Sequence, residues 1–219
     1  MGRPAAVLWD MDGTLVDSEK VWDIPLNELA DRLGGTLSHE ARQAMIGSNA
    51  DLTMRLLWDD LGLEHDADEM RAANTWVMKR MLELFRENIP FRPGAPEALA
   101  MIRDSGIPAA LVTNTPRELT EAALDFIGRD HFQVSICGDE VANPKPHPEP
   151  YLNATGLLGV DPADCVVIED SINGVTSAVA AGCQVLIVPC DQDVPPGERR
   201  HYRDSLAGLS PEDLAALFG

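Results

Sequence analysis

Two carboxylates two positions apart, Asp10 and Asp12, open the segment Asp10-Met11-Asp12-Gly13-Thr14-Leu15-Val16-Asp17 near the start of this 219-residue chain. They follow a short apolar run, residues 5–9, that reads as a buried strand. Acids this close are costly to ionise together unless a positive charge sits between them. Mg²⁺ suits such a pair, since it takes carboxylate and carbonyl oxygens alongside waters. Gly13 lets the backbone turn sharply where the strand stops. A second acidic pair, Glu169-Asp170, ends another apolar run. Adjacent acids at a strand end cannot both point inward, so one of them should face the metal. Either could also cap the helix that follows.

Two more places carry polar groups suited to anions. Thr113-Asn114 ends a third apolar run, and its hydroxyl, amide and backbone N–H groups suit the oxygens of a transferring phosphoryl group. A plain strand-to-helix turn would read the same way. Lys145 is one of three lysines (with Lys20 and Lys79) against 14 arginines, and the only one after position 79. Where arginine is the chain's default, a lysine suggests a compact point charge.

These residues need elements to hold them at one place. Five short runs, residues 5–9, 109–113, 134–137, 165–168 and 184–188, are apolar on both sides, as strands covered on both faces should be. Helical patterns lie between them: 96–104 stops at Ser105-Gly106, 116–127 at Gly128, and 171–181 at Gly182. Such alternation predicts an α/β protein with a parallel sheet and right-handed crossovers. Ligands in such sheets bind beyond the carboxyl ends of the strands, where Asp10, Thr113 and Glu169-Asp170 fall.

Residues 18–90 have a different texture, with no convincing strand. Met70, Ala73, Val77, Met81 and Leu84 recur at helical spacing, as do Leu52 and Leu56 or Leu57 and Leu61. With Trp22, Trp58 and Trp76 they are expected to form the small core of an all-helical insert. The expected organisation is therefore a catalytic core of residues 1–17 plus 91–219, with a helical insert at 18–90. Residues 189–204 read as a loop, before a last short helix opened by Ser210-Pro211.

The formal net charge is −19, from 36 Asp and Glu against 17 Lys and Arg. That balance argues against nucleic acid as a partner, which needs a basic footprint, and against an anionic membrane surface. Small anions are still admissible, because a metal ion inverts the field locally. No apolar run approaches the roughly 20 residues of a membrane span. The opening residues from Met1-Gly2 onward lack the features of a signal peptide. Cys137, Cys165, Cys183 and Cys190 show no CxxC spacing and read as buried free thiols. A cytoplasmic protein is expected.

The motifs together resemble those of the haloacid dehalogenase superfamily, whose members are mostly Mg²⁺-dependent phosphatases. The Asp10–Asp17 segment is similar to motif I, Leu111-Val112-Thr113-Asn114 to motif II, Asn143-Pro144-Lys145-Pro146 to motif III, and Val166-Val167-Ile168-Glu169-Asp170-Ser171 to motif IV. The resemblance implies a Rossmann-like core with an inserted α-helical cap. It implies that Asp10 attacks phosphorus to give an aspartyl-phosphate, and that Asp12 acts as general acid and then base. Lys145 would hold the nucleophile, with Thr113, Asn114 and Lys145 binding phosphate. The implied Mg²⁺ set is Asp10, the Asp12 carbonyl and Asp170, with Glu169 acting through water or as a support.

The insert resembles the cap of the subgroup holding β-phosphoglucomutase, phosphoglycolate phosphatase and small sugar phosphatases. Mutases carry a histidine where Trp22 stands and a cap arginine near Asn49-Ala50. Neither feature is present, though Arg55 or Lys79 could substitute for the arginine. The resemblance therefore implies hydrolysis of a small phosphorylated metabolite by a monomer, ahead of a phosphosugar mutase. A dehalogenase would lack Asp12, and a non-catalytic binding protein would have no need of Asp10, Asp12, Thr113, Lys145 and Asp170 together. His147 departs from the small residue relatives often carry there, as an exposed loop residue or a contact near the site.

Overall fold

The computed structural model describes residues 3–87 and 89–219; Met1 and Gly2, part of the opening read above, and Asn88 lie outside the described residues. The chain begins with strand β1 (Ala6–Trp9) and continues through helices α1 (Glu19–Arg32), α2 (His39–Met45), α3 (Ala50–Asp60) and α4 (Ala67–Glu87). Then α5 (Ala95–Asp104), β2 (Ala109–Val112), α6 (Arg117–Ile127), β3 (Val134–Ile136), α7 (Glu149–Leu158), β4 (Cys165–Glu169), α8 (Ile172–Ala181) and β5 (Gln184–Ile187) alternate. Strand β6 (Arg200–Tyr202) and helix α9 (Pro211–Ala215) close the chain.

The six strands form one sheet in the order β3-β2-β1-β4-β5-β6, every neighbouring pair parallel. Side chains alternate along each strand, and both faces are covered. On β1, Val7 and Trp9 join one buried cluster, and Ala6 and Leu8 the other. On β4, Val166 and Ile168 face the first, Cys165 and Val167 the second. This double burial is why the strands read as continuous apolar runs.

β6 lies inside the segment expected to be a loop. Arg200, His201 and Tyr202 are half-buried or exposed, and they pair only with β5 at the sheet edge. A polar edge strand carries no apolar signature, so residue pattern alone does not mark it.

Among the described residues of 18–90 there are helices and no strand. Leu57, Trp58, Val77 and Met81 are buried there, in the same cluster as Val7 and Trp9. Trp76 is half-buried under Arg32, whose guanidinium carbon lies 3.9 Å from the ring centroid. Trp22 is half-buried against the same cluster, as expected, and it also lines a cleft. The chain returns to the sheet at Phe91, which stacks on Phe126 of α6 with ring centroids 4.6 Å apart. No helix among the described residues is long and apolar enough to cross a membrane.

Candidate active site

The carboxyl ends of β1, β2 and β4 meet at one place, where Asp10, Thr113, Glu169 and Asp170 are all buried. Lys145 reaches it from the loop before α7 and is only 2% exposed. Its Nζ lies 2.7 Å from Asp10 Oδ1 and 2.7 Å from Glu169 Oε1. Carboxylate oxygens of Asp10, Glu169 and Asp170 all lie within 4.8 Å of one another.

Glu169 is fully enclosed. Its Oε1 also accepts from the Tyr151 hydroxyl (3.0 Å), and its Oε2 from the backbone N–H groups of Asp170 (3.0 Å) and Ser171 (3.1 Å) and from Ser171 Oγ (3.1 Å). The same Ser171 hydroxyl caps α8 by accepting from Gly174 N–H. Gly174 makes this approach feasible, for a Cβ there would sit 1.6 Å from Glu169 Oε1. Asp170 accepts from Thr14 Oγ1 at 3.1 Å. Gly13, at φ +81°, passes so close that a Cβ would lie 2.2 Å from Asp170 Oδ2.

The electrostatics follow from three buried acids around one ammonium. Burial, then the Glu169 charge, pushes the Asp10 carboxyl up to about 8, with Lys145 pulling the other way. Burial works against a charged Lys145, but Asp10 and Glu169 outweigh it and its ammonium is held above the ordinary lysine range. Burial, Glu169 and Asp10 together raise the Tyr151 phenol well above its ordinary value, so it stays a donor. One lysine cannot balance three carboxylates. A hard divalent cation fits this all-oxygen donor set, and Gly13 leaves it room beside Asp170.

Asp12 faces away from that cluster. Its Oδ1 accepts from Ser18 Oγ (2.6 Å) and Trp22 Nε1 (3.4 Å), and its Oδ2 from Thr113 Oγ1 (3.2 Å) and Thr115 Oγ1 (2.7 Å). Thr113 thus orients Asp12, while its backbone N–H is spent on the sheet, donating to Ile136 O. Asn114 does something else again. Its Nδ2 donates to the carbonyls of Gly47 and Lys145, both at 3.1 Å, and its Oδ1 accepts from Lys145 N–H.

The helices roof this site and leave a cleft of about 720 Å³, part of it open to solvent. Asp10, Asp12, Thr113, Asn114 and Lys145 line it from below; Trp22, Arg42, Ser48 and Asn74 line it from the helical side. Three amides of the core hold the roof by its backbone. Asn114 and Asn173 both donate to Gly47 O, and Gln192 donates to Gln43 O while accepting from Ile172 N–H. A Cβ on Gly47 would meet Ser171 at 2.9 Å.

Residue types and spacing had singled out Asp10, Asp12, Thr113, Asn114, Lys145, Glu169 and Asp170, and all seven lie here. Arg55 and Lys79 are exposed and do not line the cleft. His147 is exposed too, its Nδ1 accepting from Glu149 N–H at 3.2 Å. Asp17 pairs with Lys20 at 2.7 Å, off the cluster. Tyr151, Thr115, Arg42 and Asn74 were not anticipated. Burial pushes all four thiols up to about 12, which keeps them unreactive.

Buried acids around one lysine, at the carboxyl edge of a parallel sheet and under a helical roof, define an α/β protein with a candidate site for a divalent cation and an anionic ligand. Residues 4–182 match the haloacid dehalogenase-like hydrolases, and the chain belongs to that family. Among curated proteins it is similar to hexitol phosphatase B of Escherichia coli strain K12, 31% identical over 85% of this chain and 84% of that protein. Phosphoglycolate phosphatase of Nitrosococcus oceani is 33% identical over 84% of this chain and 83% of its own length. The crystal structure of CbbY from Rhodobacter sphaeroides in complex with phosphate aligns at TM-score 0.82 and 27% identity, covering 94% of this chain and 96% of that one.

Proposed function

We propose that this phosphoric monoester hydrolase is a Mg²⁺-dependent phosphatase of a small phosphorylated metabolite, of the sugar phosphate or phosphoglycolate type, working through an aspartyl-phosphate on Asp10. The observation that carries the reading is Lys145, buried and 2.7 Å from both Asp10 and Glu169, with Asp12 on the same cleft. Mg²⁺, held by Asp10, Asp170 and the Asp12 carbonyl beside Glu169, would neutralise phosphoryl charge.

Lys145 orients the Asp10 carboxylate by its hold on Oδ1 and adds positive charge where phosphoryl oxygens arrive. Asp10 attacks phosphorus, and the bond to the leaving oxygen breaks. Asp12 gives that oxygen a proton, then takes one from the water that hydrolyses the aspartyl-phosphate. Its Ser18, Thr113 and Thr115 hydroxyls can turn from donor to acceptor, so the network admits both protonation states. Glu169 is already saturated by five donors; its work is to hold Lys145 and the turn that carries Asp170. Residues 18–90 act as a cap that excludes water from the exchange. The chain is taken to work as a monomer in the cytoplasm.

Phosphate release from a panel of sugar phosphates, phosphoglycolate and nucleotides tests this. Release should need Mg²⁺, stop with EDTA and return on adding Mg²⁺ back. Release from none of them would overturn the reading, and isomerisation of β-glucose-1-phosphate would replace it with the mutase.

A further inference from the structure

We infer that Tyr151 is a positioning residue for Lys145, acting on the ammonium directly with its ring and through Glu169 with its hydroxyl. The inference rests on the phosphatase reading, in which Lys145 serves the nucleophile Asp10.

Tyr151 meets the lysine twice. Its hydroxyl donates to Glu169 Oε1 at 3.0 Å, the same oxygen that accepts from Lys145 Nζ at 2.7 Å. Its ring lies under that ammonium, with Nζ 5.0 Å from the centroid, within reach of a cation–π attraction. Asp10, Glu169 and the ring therefore bound the ammonium on three sides. Tyr151 is fully buried and Lys145 is 2% exposed, so bulk water does not screen either contact.

The two oxygens of Glu169 are held from different elements. Oε2 accepts from Asp170 N–H, Ser171 N–H and Ser171 Oγ, all on the turn that opens α8. Those bonds pin one oxygen, but the terminal torsion of a glutamate is soft, and the carboxylate can still pivot about it. The Tyr151 hydroxyl arrives from α7 and pins the other oxygen. With both fixed, Lys145 Nζ is set where it reaches Glu169 Oε1 and Asp10 Oδ1 together, each at 2.7 Å.

Packing alone does not ask for a tyrosine here. Phenylalanine would fill the same space with no hydroxyl to take out of water. What the hydroxyl adds is its bond to Glu169, and that bond falls on the oxygen shared with the lysine. Tyr151 and Ala154 of α7 join the buried cluster on one face of the sheet, and such close packing keeps the ring in place.

The test measures kcat, KM and the inhibition constant of orthovanadate for the full chain with Mg²⁺ and an ester that it hydrolyses, then for Tyr151→Phe and Tyr151→Leu. Tyr151→Phe keeps the ring and loses the hydroxyl. Its kcat should fall by roughly tenfold, the value of one hydrogen bond to a charged group, with KM within about twofold. Tyr151→Leu loses the ring as well, and kcat should fall by roughly a further fivefold. Orthovanadate mimics the phosphoryl group in transfer, so its inhibition constant should rise in step with the fall in kcat. A partly folded variant would lower kcat and leave that constant unmoved, which separates positioning from stability. Where Tyr151→Leu does not fold, Tyr151→Phe decides alone. An unchanged kcat in Tyr151→Phe overturns the inference, and so does a loss confined to KM or a lower kcat with the vanadate constant unmoved. Failure of the phosphatase reading looks different: the unsubstituted chain releases phosphate from no ester.

Discussion

The two walls of the cleft are built on opposite principles. On the sheet side every carboxylate is engaged: Glu169 by five donors, Asp12 by four, Asp10 by Lys145 and Asp170 by Thr14. On the helical side, methionines are interspersed with a few polar groups, and Asn74 Oδ1 has no hydrogen-bond partner among the described residues. A wall that must hold charges in place during chemistry benefits from saturation, because each donor fixes a geometry. A wall that must accept a ligand's carbon chain needs adaptable surface and some bonding capacity unspent. Under the proposed mechanism the difference separates where chemistry is done from where the substrate is chosen, and substitutions on the two sides should fail differently.

The largest effect belongs to Asp10. Asp10→Asn keeps the shape and loses the proposed nucleophile, so phosphate release should fall below detection while the thermal transition persists. Asp12→Ala comes next, with kcat lower by roughly 10²–10⁴-fold. An ester whose leaving group needs no proton, such as p-nitrophenyl phosphate, should recover part of that loss in its first step. If Asp12→Ala slowed sugar and p-nitrophenyl esters equally in a burst experiment, Asp12 would not be the acid.

Gly174→Ala tests saturation itself. The new Cβ would lie 1.6 Å from Glu169 Oε1, so Glu169 must leave its place and release Lys145 and Tyr151. Breaking a buried charge pair costs about 3–5 kcal/mol, to be read from denaturant unfolding. On the opposite wall, the volume-conserving Met78→Leu should cost less than about 1.5 kcal/mol. Equal costs on the two sides would break the contrast.

The sheet side was also the more legible of the two. Asp10, Glu169 and Asp170 end apolar runs, and their positions follow from strand topology once the sheet is parallel. Lys145 was marked by its rarity as a residue type. Tyr151 was invisible, because its hydroxyl meets Glu169 only through the packing of α7 on the sheet. Gly47 was invisible for a different reason: what it offers is a backbone carbonyl, which every residue type has. Arg42 and Asn74 lie on amphipathic helices where polar residues usually face solvent. Which of them turn into the cleft depends on how α2 and α4 sit over the sheet, and that is a long-range property. β6 was missed because a polar edge strand looks like loop.

The smallest effect falls where the two walls join. Gly47 O accepts from Asn114 at 3.1 Å and Asn173 at 3.3 Å, so the roof is held by a doubly bonded carbonyl. Asn114 also grips both the N–H and the carbonyl of Lys145, which ties the roof's position to that of the lysine. Among the described residues the hydrogen bond given for the Asn173 side chain goes to Gly47 O, so Asn173→Ala should loosen the roof with little effect on the sheet wall. One hydrogen bond of about 0.5–1.5 kcal/mol corresponds to roughly two- to twelvefold. That loss should appear as a higher KM for a sugar phosphate, with kcat nearly unchanged, because the roof contributes binding and the saturated wall contributes chemistry. A lower kcat at constant KM would mean that the roof bond acts on the reacting groups, and the separation of the two walls would fail.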